Sequence, residues 1–256
     1  MDPSGSYVDQ QNEQSTSSTR GAPLREYYLA LGTSSPSSSI ETLGELILAL
    51  APDEAVATES TLTATITTTM SVSVVICVSS RDVLDDVVCG LHSIRTAGQH
   101  VRINLWSLHS DMLEREVTSY ANEFREVARC TVVRNEVERD GDDELREGAT
   151  TTPRNIVNVL VTTDSPLKTL GKLNSDPLAP TLLIHYSLPR RREEYARRKS
   201  VVLGSRKSSG ASGGHSRVAV CFAHAGKLDE LHEFEAMADR SLLEMPVHVR
   251  DIFAFR

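Results

Sequence analysis

VSVVICVSSRDVLDDVVCGL, residues 72–91, sets the fold class. Val72 to Val78 is a short, nearly continuous apolar run, the pattern of a strand buried on both faces in a parallel sheet. Ser79-Ser80-Arg81 turns the chain, and Val83, Leu84, Val87, Val88 and Leu91 then recur at helical spacing. A buried strand, a polar turn and an amphipathic helix in direct succession make one unit of an α/β fold.

The same unit repeats outward from this stretch. Upstream, Tyr27 to Leu31 reads as a strand, followed by a Ser/Pro loop at 33–39. Ser38 or Ser39 is placed to cap the helix described by Ile40, Leu43, Ile47 and Leu50. Downstream, a strand from Arg102 to Leu108 leads into a helix over Leu113 to Val127. Further strands follow at Ile156–Val161, Leu182–Tyr186 and Val218–Phe222, and a helix from Leu228 to about Met237 closes the series. Alternation of this kind predicts right-handed crossovers and a mostly parallel sheet with helices on both faces. Residues 1–22 are Ser/Gln-rich with little that is apolar and read as a disordered tail; 23–256 read as one domain. Loop insertions are expected near 51–69 (Thr-rich), 134–153 (acidic) and 207–216 (Ser/Gly-rich).

Composition narrows the function classes. Of 256 residues, 39% are hydrophobic and 24% charged, which fits a soluble globular protein able to bury a real core. No apolar run approaches the ~20 residues of a membrane span. The first residues lack a secretory pattern, so an intracellular, cytoplasmic or nuclear, setting is expected. Cys77, Cys89, Cys130 and Cys221 are far apart, without a CxxC pair or Cys/His ligand spacing, and read as core thiols; no metal site is expected. A net charge of −8 argues against a general nucleic-acid binder and leaves room for a local basic site.

Three polar clusters, Ser79-Ser80-Arg81, His109-Ser110-Asp111 and Thr162-Thr163-Asp164, each fall at the carboxyl end of an expected strand, where open α/β sheets bind ligands. The plain alternative is local: Asp111 as a helix cap and Thr163 as a strand end. A basic cluster follows the strand at Leu182, after Pro189 has ended it: Arg190, Arg191, Arg192, Arg197, Arg198, Lys199, Arg206 and Lys207, diluted by Glu193 and Glu194. It reads as an anion site for RNA phosphate or an acidic protein surface, against the simpler reading of a solvated charged face.

Five stretches, in order, resemble the second, C-terminal RecA-like domain of DEAD-box RNA helicases, in particular the translation initiation factor 4A group. VVICVSSRDVLDDVV (74–88) is similar to motif IV, and LHSDMLEREV (108–117) to the family's HGDM and Q-x-x-R segment. VLVTTD (159–164) is similar to motif V, and LLIHYSLPRRREEY (182–195) to VINYDLP-x-x-x-E-x-Y. SLLEMPVHVRDI (241–252) is similar to the Glu-Glu-Met-Pro ending of the initiation-factor subgroup. The resemblance implies a RecA-like fold over roughly residues 24–255. It also implies an RNA-backbone face of Ser79, Ser80, Arg81, His109, Ser110, Asp111, Arg115, Thr162 and Thr163.

Departures from the pattern fall mainly on the nucleotide side. Where motif V continues Ala-Arg-Gly-x-Asp, this chain has Lys168, Thr169 and Gly171 at the Arg, Gly and Asp positions. Arg198 matches the first arginine of motif VI, but its two later arginines are replaced by Val201 and Gly204. Arginines of that kind supply about 10³–10⁵ in rate. Gly171-Lys172 and Gly226-Lys227 lack the rest of a P-loop, and Asp53-Glu54-Ala55 lacks the final Asp of the box. On the RNA side, Ser110 stands where the family has Gly, and Met112 does not match the Gln. The expectation is a non-catalytic module without catalytic residues or cofactor, ATP being the cofactor of the relatives. It would bind single-stranded RNA backbone, acidic protein surfaces or the scaffold partners of its relatives. The alternative is an ATP-dependent RNA helicase completed by a first RecA domain in trans.

Overall fold

The computed structural model describes residues 24–32, 35–51, 67–97, 101–129, 132–135, 155–204 and 217–254. Strands and helices alternate along the chain: β1 (Arg25–Leu31), α1 (Pro36–Leu50), β2 (Thr67–Cys77), α2 (Arg81–Ala97), β3 (Val101–Leu108), α3 (Glu114–Arg129), β4 (Val132–Asn135) and β5 (Asn155–Thr162). They continue with α4 (Asp164–Lys172), β6 (Leu182–His185), α5 (Arg192–Leu203), β7 (Val218–His224), α6 (Leu228–Ala238), β8 (Leu243–Glu244) and a 3-10 turn, Val249–Phe253. Seven strands pair in parallel in the order β3-β5-β2-β6-β7-β1-β8, and β4 runs antiparallel to the start of β2.

The apolar run that opened the sequence reading lies near the middle of this sheet, flanked by β5 and β6. Its period of two splits the core into layers. Val74, Ile76 and Val78 join Leu43 and Ile47 of α1 and Leu84, Val87 and Leu91 of α2. Val75 and Cys77 join Val117 and Phe124 of α3, Leu167 and Leu170 of α4 and Val202 of α5. A third cluster packs Phe234 of α6 against Tyr195 and Cys221. Each large aliphatic or aromatic side chain buried here contributes roughly 1.5–3 kcal/mol.

Several expectations are corrected. The helix expected from Ile40 begins at Pro36, with Ser35 before it; Ser39 lies inside and donates its hydroxyl to the Ser35 carbonyl at 3.2 Å. Proline favours this start because its missing N–H would have no helical partner there. The expected insertions at 51–69 and 134–153 are shorter at their edges: Thr67, Thr68 and Thr69 pair with Asn135, Arg134 and Val133 in a β-ribbon. Threonine-rich, β-branched sequence supports a strand even where apolar patterning is weak. Cys89 is exposed on α2 rather than in the core, whereas Cys77 and Cys221 are buried. The tail at 1–22, most of the insertion segments, Cys130, Arg206 and Lys207 lie outside the described residues. Among the described residues no helix is long and apolar enough to cross a membrane.

Candidate functional site

The sheet order decides which polar clusters meet. β3, β5, β2 and β6 are consecutive neighbours, so their carboxyl ends form one continuous edge. Backbone hydrogen bonds beyond the regular ladders knit it together: Thr163 N–H donates to the Leu108 carbonyl (3.2 Å), Val78 N–H to Thr162 (3.0 Å) and Ser187 N–H to Cys77 (3.2 Å). The three clusters read from the sequence, 79–81, 109–111 and 162–164, are thus side by side.

Each cluster also opens or approaches a helix, so backbone N–H groups and positive dipole ends face this edge. Ser80 caps α2: its side-chain oxygen accepts the Val83 N–H at 3.3 Å. Arg81, half-buried, donates Nε–H to Asp85, with both carboxylate oxygens at 2.9 Å, and reaches Asp111 Oδ2 from Nη1 at 3.5 Å. Ser79 and Ser80 are exposed. The Asp111 N–H donates to His109 Nδ1 (3.3 Å), and the Ser110 hydroxyl donates to Asp111 Oδ1 (3.0 Å). Arg115 is exposed on the first turn of α3. Asp111 does not cap that helix; the Leu113 N–H is instead taken by Glu116 Oε2 at 2.8 Å.

Thr162 and Thr163 are both buried, with different consequences. The Thr162 hydroxyl is fully enclosed and donates to the Thr163 carbonyl (3.0 Å). Thr163 precedes α4 without a side-chain capping bond, and its buried hydroxyl has no hydrogen-bond partner. A buried hydroxyl left unmade costs about 1–3 kcal/mol.

The basic cluster is divided by the fold. Arg190, Arg191 and Arg192 are exposed where α5 begins, on the same carboxyl edge, and form no ion pair among the described residues. Their charges sit at the positive end of a helix, where cations are disfavoured. Arg197 is half-buried. Lys199 Nζ lies 4.8 Å from the centre of the Tyr195 ring. Arg198 does not belong to a surface patch at all: only 1% of it is exposed. It donates Nε–H and Nη2–H to the two Asp164 oxygens at 2.8 and 2.6 Å, and Nη1–H to the Ser187 carbonyl at 2.7 Å. Burial is the largest influence and opposes the Arg198 charge, but the Asp164 hydrogen bonds and the nearby negative charges, those of Asp164 and Glu194 among them, together outweigh it and hold its pKa above the ordinary value. Burial likewise pushes the Cys77 thiol below it up to about 12, so it stays neutral. The Asp164–Arg198 pair was not read from the sequence; their separation of 34 residues carries no local signal. The Arg81–Asp85 pair was also missed, although its i,i+4 spacing on α2 is a sign of such contacts.

The positions compared with a nucleotide site lie between α4 and α5. A Cβ on Gly171 would stand 3.4 Å from Val201 Cγ2, so Val201 faces the Gly171 position. Val201 is packed in the core, and Gly204 ends α5 with φ of 76°, a conformation that favours glycine. No carboxylate or guanidinium stands at these three positions.

No family model and no curated protein matches the chain. Solved structures do. An Escherichia coli structure of the DEAD-box protein SrmB bound to regulator of ribonuclease activity A matches with a TM-score of 0.52 at 15% identity. That match covers 93% of this chain and 97% of the other. A variant of Saccharomyces cerevisiae Dbp5 bound to RNA and ADP BeF3 matches with a TM-score of 0.50 at 14% identity, over 90% of this chain. The same protein bound to Nup159, Gle1, IP6 and ADP matches with a TM-score of 0.50 at 17% identity. The chain spans less than half of the Dbp5 chains (42% and 44%). At these identities the likeness is one of fold, and the seven-stranded parallel sheet with its two helical layers is the RecA-like fold of DEAD-box helicase C-terminal domains.

Proposed function

We propose that the chain is a non-catalytic relative of DEAD-box helicases, of the initiation factor 4A kind, that grips single-stranded RNA by its backbone. One observation carries the reading: Ser79–Arg81, His109–Arg115 and Thr162–Thr163 come from separate parts of the chain and meet on one sheet edge. Hydroxyls, arginine and helix-start N–H groups suit phosphate oxygens and carry no base preference. The exposed Arg115 is the group most ready for an incoming phosphate, whereas the unpartnered Thr163 hydroxyl is buried behind the edge. The arginines at 190–192 extend the positive edge and add long-range attraction for RNA. Gly171, Val201 and Gly204 support the non-catalytic part, because they offer nothing to hold a ribose or a γ-phosphate. Dbp5 is solved with RNA and SrmB with a protein regulator, so both partner classes are known for this fold. The strand-end cluster favours RNA.

Binding of a labelled single-stranded RNA across a salt series tests this. Two to four phosphate contacts predict a log–log slope of roughly −1.5 to −3, at about −0.7 per contact. Arg115→Gln should weaken binding about three- to tenfold and flatten the slope by about 0.7. No measurable binding at low salt, or binding indifferent to both salt and Arg115, would reject the reading.

A further inference from the structure

We infer that Asp111 is a built-in stand-in for an RNA phosphate, competing with RNA for Arg81 and Ser110; the inference rests on the RNA reading above. Its two oxygens already receive the donors a backbone phosphate would seek. Oδ1 accepts the Ser110 hydroxyl at 3.0 Å, and Oδ2 lies 3.5 Å from Arg81 Nη1 and 3.9 Å from His109 Nδ1. The Asp85 carboxylate holds the other side of Arg81, through Nε. One cation therefore sits between two anions, and the middle of the proposed grip carries net negative charge until something displaces Asp111.

Nothing in the packing requires Asp111 to be acidic. Its side chain is 71% exposed, and the first turn of α3 is capped by Glu116. A carboxylate free of structural duty, holding donors on a face proposed for phosphate, lowers affinity and raises selectivity. Only a ligand presenting several phosphates at once gains enough elsewhere on the edge to move it. This is discrimination by a repulsive element. On binding, the carboxylate swings to solvent while Ser110 O–H and Arg81 N–H pass to phosphate oxygens; no bond is made or broken.

A double-mutant cycle on binding of a fluorescein-labelled oligouridine tests the inference. Asp111→Asn keeps the shape and removes the charge; it should tighten binding about three- to tenfold at low salt. In an Arg81→Gln background the same change should give less than twofold, because the charged one of the two contested donors is gone. Unchanged or weaker binding in Asp111→Asn would overturn the inference, as would an equal gain in the Arg81→Gln background, which would mean only long-range repulsion. RNA binding absent from every variant would instead defeat the RNA reading itself.

Discussion

His185 illustrates how a single residue here is set by its surroundings. It ends β6 in full burial, its Nδ1 3.4 Å from Arg198 Nη1, with the Tyr195 and Phe234 rings beside it. Burial, reinforced by the Arg198 charge, holds its pKa well below the usual 6.5. As pH falls through about 6.5 the unfolded chain takes up a proton that the folded one refuses. Stability present above that pH is thus lost on acidification, by up to ~1.4 kcal/mol per pH unit. His185→Asn has nothing to titrate, so urea unfolding at pH 7.5 and 5.5 should show a smaller acid loss than in the parent chain. Identical losses in both would contradict the assignment. The sequence marks His185 only as a strand residue; its neutrality follows first from full burial and then from the Arg198 charge, both set by tertiary packing.

At the level of elements, legibility tracked apolar periodicity. β2, α2, β3, α3, β5 and β7 were all anticipated, because Val, Ile and Leu recur along them at the period of their structure. α4 and α5 were not, for a physical reason. α5 devotes an inward position to Arg198, and a charged residue there breaks the apolar pattern on which helix reading depends. The same arginine reads from sequence as part of a surface patch, since seven neighbouring cations suggest exposure and only a partner distant in the chain, Asp164, allows burial. That pair staples α5 to the start of α4. Asp164→Asn would leave a buried cation unpaired and should cost about 3 kcal/mol in urea unfolding. Combining it with Arg198→Met should restore most of the loss, and a double variant no more stable than Asp164→Asn would show that the staple is not the cause.

For the molecule as a whole, the sheet order was only partly legible. Alternating strands and helices implied parallel pairing, but the neighbour relation β3-β5-β2-β6 depends on crossovers that no local pattern specifies. That order is what turns three scattered polar turns into one surface, and it is the basis of the functional reading. The proposed backbone grip without nucleotide chemistry makes a claim about ATP as well as about RNA. The most direct test is RNA binding by fluorescence anisotropy with and without Mg²⁺ and ATP, with phosphate release followed in the same samples. The account predicts salt-sensitive RNA binding of unchanged affinity when ATP is added, and no release above background. ATP-dependent tightening, or phosphate release stimulated by RNA, would contradict it.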